Sequence, residues 1–435
     1  MNGVLQKVTR ALGGYAGKRV AVGVSGGRDS VCLLHAVLFC EIFPKENITA
    51  VHVNHGLRAE ADADENFVRA LCDKLGVEFR SFDIDVKKAS AESSFTVEQA
   101  ARELRYRVFN GVIERGEADI VLTAHHALDN AESVLMHLFR GAGLDGLCGI
   151  KRSTEFTVRP LLDAYPDEIE QYVNENGLEF VVDKTNFEDD ADRNFIRLNV
   201  LPLVQKRYGG TVRAINAFAH DCETACGVLD GMLDEGLIGY SYGAVTVCDE
   251  ALQSTLAARY LRKAAAYFSL TDLTRDMTER AVALKDMRTG ATVDMNNGVK
   301  AVREYGCVAL YVPRAEFVGE YPIHAGANFI DGLAVDITPS AEDARKARGC
   351  AVDLEKLSGA VLRFRRDGDY FTPFGGGRKK LKQYFTDKKI PKRIRDRTPV
   401  IARGNEVLVI VGVEISELVK QTNATNAKAL VTRRW

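Results

Sequence analysis

The stretch that most limits what this chain can become is Val20-Ala21-Val22-Gly23-Val24-Ser25-Gly26-Gly27-Arg28-Asp29-Ser30. An apolar run of strand type enters a glycine turn, and a helical pattern begins directly after it. Gly26 and Gly27 let the backbone approach an anion closely and adopt positive φ, while Ser25 and Ser30 add hydroxyl donors. The helix start adds its dipole, so the loop fits a phosphate or pyrophosphate group. No Lys follows the glycines, which excludes the G-x-x-x-x-G-K-[ST] loop, and the spacing is not G-x-G-x-x-G. Asp29 at the mouth is the natural Mg²⁺ partner, because Mg²⁺ prefers an oxygen ligand that shares it with substrate phosphates.

The strand-then-helix rhythm continues beyond the loop. Strands are expected over 19–24, 48–53, 78–84 and 119–123, with helices over 30–43, 61–75 and 97–114 and another beginning near 129. Such alternation predicts an α/β fold, a doubly wound and mostly parallel sheet with ligands at the carboxyl ends of its strands. From about 213 the pattern turns helical, over 215–232 and 252–268, and a hairpin is expected around Asn296-Asn297-Gly298. Strand-like runs at 361–364 and 407–413 flank a basic segment. The expected domains are therefore 1–212, a catalytic α/β domain; 213–320, a mostly helical docking or spacer domain; and 321–435, a small basic α+β domain.

A chain of 435 residues, 46% hydrophobic and 27% charged, is long enough for more than one buried core, which excludes a small stapled scaffold and disorder over most of its length. No apolar run reaches membrane-spanning length and the first 30 residues lack a signal-type stretch, so no membrane association and a cytoplasmic address are expected. Nine cysteines, an odd number spread from Cys32 to Cys350, fit reduced thiols. Cys222 and Cys226 are spaced C-x3-C without a second pair to complete a metal site. The net charge of −2 hides an asymmetry: 363–403 holds 14 Lys plus Arg against 4 Asp, a balance of +10, which leaves −12 elsewhere. A polyanionic partner explains such a segment, and so does a solvated face; charge alone leaves both open.

The string Ser25 to Ser30 resembles the pyrophosphate loop of the N-type ATP pyrophosphatases, the PP-loop superfamily. Further strings resemble the bacterial tRNA(Ile)-lysidine synthetases within it. These are Val51-His52-Val53-Asn54-His55-Gly56-Leu57-Arg58, Ala101-Arg102-Glu103-Leu104-Arg105-Tyr106, and Thr123-Ala124-His125-His126 leading to Asp129 and Glu132. Asp183, Thr185, Asn186, Arg193-Asn194-Phe195-Ile196-Arg197 and Pro202 follow in the same order. Gly368-Asp369, Lys379-Lys380-Leu381, Asp387-Lys388-Lys389-Ile390-Pro391 and Arg395-Asp396-Arg397 resemble the family's C-terminal signature.

The resemblance implies an enzyme that joins the ε-amine of free L-lysine to C2 of the wobble cytidine of a tRNA(Ile) bearing CAU, with ATP and Mg²⁺. Adenylation of the C2 oxygen would make C2 electrophilic, and the amine would then displace AMP. On this reading Ser25, Gly26, Gly27, Arg28, Asp29 and Ser30 bind ATP, Asp29 also holds the metal, and Asp29, His125, Arg102, Arg105 and Arg197 serve catalysis. Asp129 and Glu132, three apart on a helix, would cradle lysine. Arg193, Arg197, Lys379, Lys380, Lys382, Lys388 and Lys389 would contact tRNA. Most of the aromatics among those cations (Phe364, Tyr370, Phe371, Phe374, Tyr384, Phe385) are expected in the core. The chain departs from the family where Leu128 precedes Asp129 in place of a second acid and where Asn130 replaces a common Gln. Two rival readings stay open, a PP-loop tRNA thiolase and a non-catalytic tRNA-binding paralogue; a homodimer is compatible with the sequence.

Overall fold

The computed structural model describes residues 3–54, 61–92, 96–181, 192–270, 273–314, 317, 319–339, 350–422 and 425–434. The strings at 55–58 and 183–186 therefore lie outside the described residues. The chain divides into two compact units, Met1–Gly231 and Met232–Trp435.

In the first unit, β1 Val20–Gly23, β2 Ile48–Asn54, β3 Glu78–Asp83, β4 Ile120–Leu122 and β5 Thr157–Val158 form a sheet in the order β3-β2-β1-β4-β5. All four pairings are parallel. The helices are α1 Gly3–Leu12, α2 Arg28–Phe39, α3 Ala61–Leu75, α4 Val86–Glu92, α5 Val97–Glu114, α6 Ala127–Phe139, α7 Leu144–Leu147, α8 Pro166–Glu175, α9 Asp192–Phe195, α10 Leu201–Arg207 and α11 Thr211–Gly231. Val20, Val22, Ile48, Ala50, Ile120 and Leu122 share one core with α1, α2, α3 and α8. Ala21, Val51, Val53 and Val121 share another with Phe109 and Val112 of α5. This two-residue alternation covers both faces of the sheet, which is why its central strands read as continuous apolar runs. Each Val, Leu, Ile or Phe among them contributes about 1.5–3 kcal/mol by leaving water. The chain passes from β1 to β2 on one side and returns to β4 on the other. The crevice between the carboxyl ends of β1 and β4 is therefore the switch point where ligands collect in such sheets. The doubly wound parallel sheet expected from the sequence is what the chain forms.

The first unit extends past the expected limit at 212, because α11 packs against α6 and α7. The second unit opens with a five-stranded antiparallel sheet, β6 Ile238–Ser241, β7 Ala244–Cys248, β8 Thr292–Asp294, β9 Lys300–Glu304 and β10 Cys307–Tyr311, ordered β6-β7-β10-β9-β8. This corrects the expectation of a mostly helical middle region: short helices at Asp249–Gln253, Ala257–Ala266 and Arg275–Ala283 cover a sheet. The hairpin at 296–298 forms between β8 and β9, with Asn297 and Gly298 both at positive φ. The remainder holds a four-stranded and a seven-stranded sheet whose apolar faces share one core, Val335, Ile337 and Val431 with Leu362, Ile401 and Val409. Arg363 and Asp369 are fully buried there as a bidentate pair at 2.8 and 2.9 Å, and the Phe364 and Gly404 carbonyls accept two more guanidinium protons. A pair so completely satisfied fixes geometry, since removing either partner strands the other charge.

Candidate active site

The phosphate loop is braced from within. Ser25 N–H donates to Ser30 Oγ at 3.1 Å, Gly27 N–H donates to Ser25 Oγ at 3.3 Å, and Ser30 Oγ donates to the Gly27 carbonyl at 2.9 Å. Gly26 sits at φ +89°, where a Cβ would be strained and would meet Val68 Cγ2 at 3.3 Å. Its carbonyl accepts from Val181 N–H at 3.0 Å. His52 is buried with Nδ1 2.8 Å from the Val24 carbonyl, which can only accept, so Nδ1 carries the proton and ties β2 to the loop. Gly27 ends the loop as the residue preceding α2, leaving the first N–H groups of that helix facing the crevice.

Across the crevice, the end of β4 and the start of α6 carry the two histidines, and the structure separates their roles. His126 is the N-cap of α6: its Nδ1 accepts from Leu128 N–H at 3.2 Å, and its own N–H donates to Asp129 Oδ2 at 2.8 Å. With Nδ1 accepting, Nε2 carries a proton toward Asp29 Oδ2, 3.4 Å away. Burial opposes ionisation of both groups. Their mutual attraction outweighs it, holding the His126 imidazole above its usual pKa and, with help from Arg28, the Asp29 carboxyl below the usual range. His125 faces elsewhere, its Nδ1 3.0 Å from Thr123 Oγ1. Burial drives its pKa down to about 3; Asp129 opposes this, while Arg159, Arg193 and Arg102 reinforce it.

Asp129 and Glu132 share the inner face of α6 as the three-residue spacing requires, and they are not alone there. Arg193 donates to Glu132 Oε2 at 2.7 Å and to Asp129 Oδ1 at 2.9 Å. Arg197 donates to Glu132 at 2.5 and 3.0 Å and to Asp129 Oδ1 at 3.1 Å. The expected lysine acids and the expected tRNA arginines are thus paired with one another. Glu132 is fully buried with both oxygens occupied, whereas Asp129 keeps 14% of its side chain exposed. Arg197 lies in a five-residue π-helical stretch, Ile196–Val200, just before Pro202. Pro202 supplies no N–H to the carbonyl four residues back, and the widened turn there brings Arg197 onto the same acids as Arg193.

Arg102 of α5 is exposed and lies over the Tyr106 ring at 5.2 Å, and Arg105 is half-buried one turn further along. The Tyr106 hydroxyl accepts from Arg159, a buried residue directly after β5. Asn130, the other departure from the family pattern, has a structural partner set: Ile150 N–H donates to its Oδ1 at 2.6 Å and its Nδ2 donates to Asn216 of α11. His52, Thr123, Tyr106 and Arg159 are contributors the sequence reading left without a role. The first three lay inside quoted strings, but Arg159 carried no signal at all. Among the described residues no cluster of three or more His, Cys, Asp or Glu side chains could hold a metal ion. Asp29, ionised and one-third exposed at the α2 start, fits Mg²⁺ held by one carboxylate with the remaining oxygens from phosphates.

The fold consumes much of the basic C-terminal segment. Lys379 pairs with Asp387 at 3.0 Å, Lys388 with Glu414 at 3.1 Å, and Arg365, Arg366, Arg393 and Arg397 with Asp396, Glu320, Glu304 and Asp331. Lys380, Lys382 and Lys389 are exposed with no acid against them among the described residues. Phe364, Phe371, Tyr384 and Phe385 are buried, as expected, and Phe374 is exposed.

The family model described as the PP-loop domain matches residues 2–204, and that of the TilS substrate C-terminal domain matches 360–431. The tRNA(Ile)-lysidine synthase of Clostridium tetani is 33% identical over 93% of this chain and 92% of its own length. That of Clostridium acetobutylicum is 33% identical over 94% and 93%. That of Caldanaerobacter subterraneus subsp. tengcongensis is 30% identical over 99% and 97%. A phosphate loop facing an ion-paired acidic helix, the two matched domains and relatives of this identity along nearly the whole length lead to one conclusion: the chain belongs to the tRNA(Ile)-lysidine synthase family, PP-loop ATP-dependent ligases.

Proposed function

We propose that this chain joins the ε-amine of free L-lysine to C2 of the wobble cytidine of tRNA(Ile) bearing CAU, in the cytoplasm, consuming ATP with Mg²⁺ and releasing AMP and pyrophosphate. The C2 oxygen attacks the α-phosphate and pyrophosphate leaves; the lysine ε-ammonium gives up a proton to water, the free amine attacks C2 and loses a second proton, and AMP departs. The observation that carries this reading is His126, whose two ring nitrogens face Asp29 at 3.4 Å and Asp129 at 3.5 Å and so join the phosphate loop to the acidic helix as one site.

Ser25, Gly26, Gly27, Arg28 and Ser30 hold the phosphates, and the N–H groups at the α2 start stabilise charge as pyrophosphate leaves. Asp29 would hold the Mg²⁺, which when bound would neutralise phosphate charge. His125, with the Thr123 hydroxyl on Nδ1, stays a neutral imidazole and presents Nε2 to the reacting nucleotide. Arg102 and Arg105 bind nucleotide phosphate. The lysine ammonium takes the place of a guanidinium at the exposed side of Asp129, while Glu132 anchors Arg197. Arg193, once exchanged, turns to tRNA phosphate, and Lys379, Lys380, Lys382, Lys388 and Lys389 hold the tRNA elsewhere. A thiolase lacks support here: Cys32, the cysteine nearest the loop, is buried and its thiol pushed up to about 12, which leaves no thiolate.

The test is transfer of labelled lysine to unmodified tRNA(Ile) bearing CAU with ATP and Mg²⁺, followed by nucleoside analysis. Label in a modified cytidine is expected. ATP cleaved to AMP on bound tRNA, without lysine transfer, would overturn lysine as the nucleophile.

A further inference from the structure

Arg159 follows β5 directly, level with Thr123 at the carboxyl edge of the sheet: Thr123 N–H donates to the Val158 carbonyl at 3.1 Å. Its side chain is 8% exposed. Nη1 donates to the Lys151 carbonyl at 2.8 Å and Nη2 to the Tyr106 hydroxyl at 3.3 Å, but Nε is buried with no hydrogen-bond partner. Among the described residues no carboxylate pairs with it. The buried Arg363 shows the contrast, because its guanidinium meets Asp369 and two carbonyls. A guanidinium taken from water without a counter-ion is costly, and a fold retains one where an anion arrives later or where the field itself is needed. Arg159 stands where both hold. It lies at the edge of a sheet that binds a polyphosphate, beside His125 and beneath the tyrosine that Arg102 covers.

We propose that Arg159 is a positioning residue of the reaction centre, a buried cation without a carboxylate partner that fixes Tyr106 under Arg102 and places uncompensated positive charge beside His125. The other groups facing His125 are Arg102 from α5, Asp129 from α6 and Arg193 from α9, with Thr123 on its own strand end. Burial is the main reason the ring stays unprotonated; Asp129 opposes it but is already engaged by both arginines and by His126, and Arg159 adds to the effect of burial. The inference rests on the proposed role of His125 but not on lysine as the nucleophile.

The experiment follows the His125 ring by NMR across pH in the full chain, assigned as the signal missing from His125→Asn, together with the pH profile of kcat. In the unsubstituted protein the ring is expected to stay neutral down to pH 5. Arg159→Gln should raise its midpoint by about one pH unit or more, carry the acid limb of kcat with it, and lower kcat about 10–100-fold. Arg159→Lys, which keeps the charge, should leave the midpoint in place while raising KM for tRNA through the loosened Tyr106. Tyr106→Phe should raise that KM alone. An unsubstituted ring that titrates near its ordinary value overturns the proposal even if Arg159→Gln fails to fold. So does a folded Arg159→Gln whose His125 titrates unchanged. Lysine transfer by the unsubstituted protein in the same preparation keeps the proposed reaction a separate question.

Discussion

Asp29 and His126 show how two side chains divide a task that neither performs alone. On the proposed reading the carboxylate stays ionised to hold a cation against polyphosphate, and the imidazole beside it, which starts the helix that carries Asp129, favours that state. Asp29→Asn should therefore lower pyrophosphate release about 10²–10³-fold while tRNA affinity changes less than about twofold. Undiminished release from the variant would remove Asp29 from the chemistry. The pair also has a pH signature. His126 is raised above its ordinary 6.5, so its contribution to stability is complete below that value and fades as pH rises through the raised one. Asp29 is lowered below 3.8, so its contribution is complete above that and fades as pH falls. The stability lost in His126→Gln, read from urea midpoints, should be widest between about pH 4 and 6.5 and narrow on both sides. A gap no wider at pH 5.5 than at pH 9 would mean that the charged pair adds nothing beyond the cap, whose Nδ1 acceptor exists only in the neutral ring.

Single elements owe their placement to backbone as much as to side chains. Gly149 has φ +72°, and a Cβ there would lie 2.2 Å from Asn130 Oδ1, the atom that accepts from Ile150 N–H. Asn130 in turn joins α6 to α11, so the glycine lets the segment after α7 close onto the helix that bears the acids. Gly149→Ala should cost about 2–4 kcal/mol, from left-handed strain plus overpacking. Gly116→Ala, with φ +67° and open space around it, should cost only the strain, about 1–2 kcal/mol. Equal losses in the unfolding of the two variants would refute the packing role. The central strands and the long helices were legible because burial on both faces or on one face imposes a period. The two-residue β5 was not, since Thr157 and Val158 are too few to show one. The π-helical turn was also hidden, although Pro202 marked its place.

Over the whole chain, the +10 segment is less a uniform patch than its sequence suggests. Lys380, Lys382 and Lys389 are exposed and unpaired among the described residues, whereas Lys379 and Lys388 already face acids. Replacing the first three by Glu in the full chain should weaken tRNA binding and reduce the slope of log affinity against log salt by roughly 2–3. Replacing Lys379 and Lys388 should change that slope by less than about 1. Equal effects per lysine would mean that the ion pairs open on binding.

The sequence by itself determined the parallel sheet, the phosphate loop and the chemistry of the candidate residues, because those follow from local period, from glycine at a turn and from strings of fixed spacing. Tertiary structure alone decided which charges meet. Arg193 lies 61 positions from Glu132 and Arg159 lies 53 from Tyr106, and no local pattern could pair them. It likewise decided that the middle region is built on a sheet, since strands of three to five residues become stable only when neighbours supply their hydrogen bonds. Pairing across the chain is a property of the closed fold, set by which groups are buried together and therefore must satisfy one another.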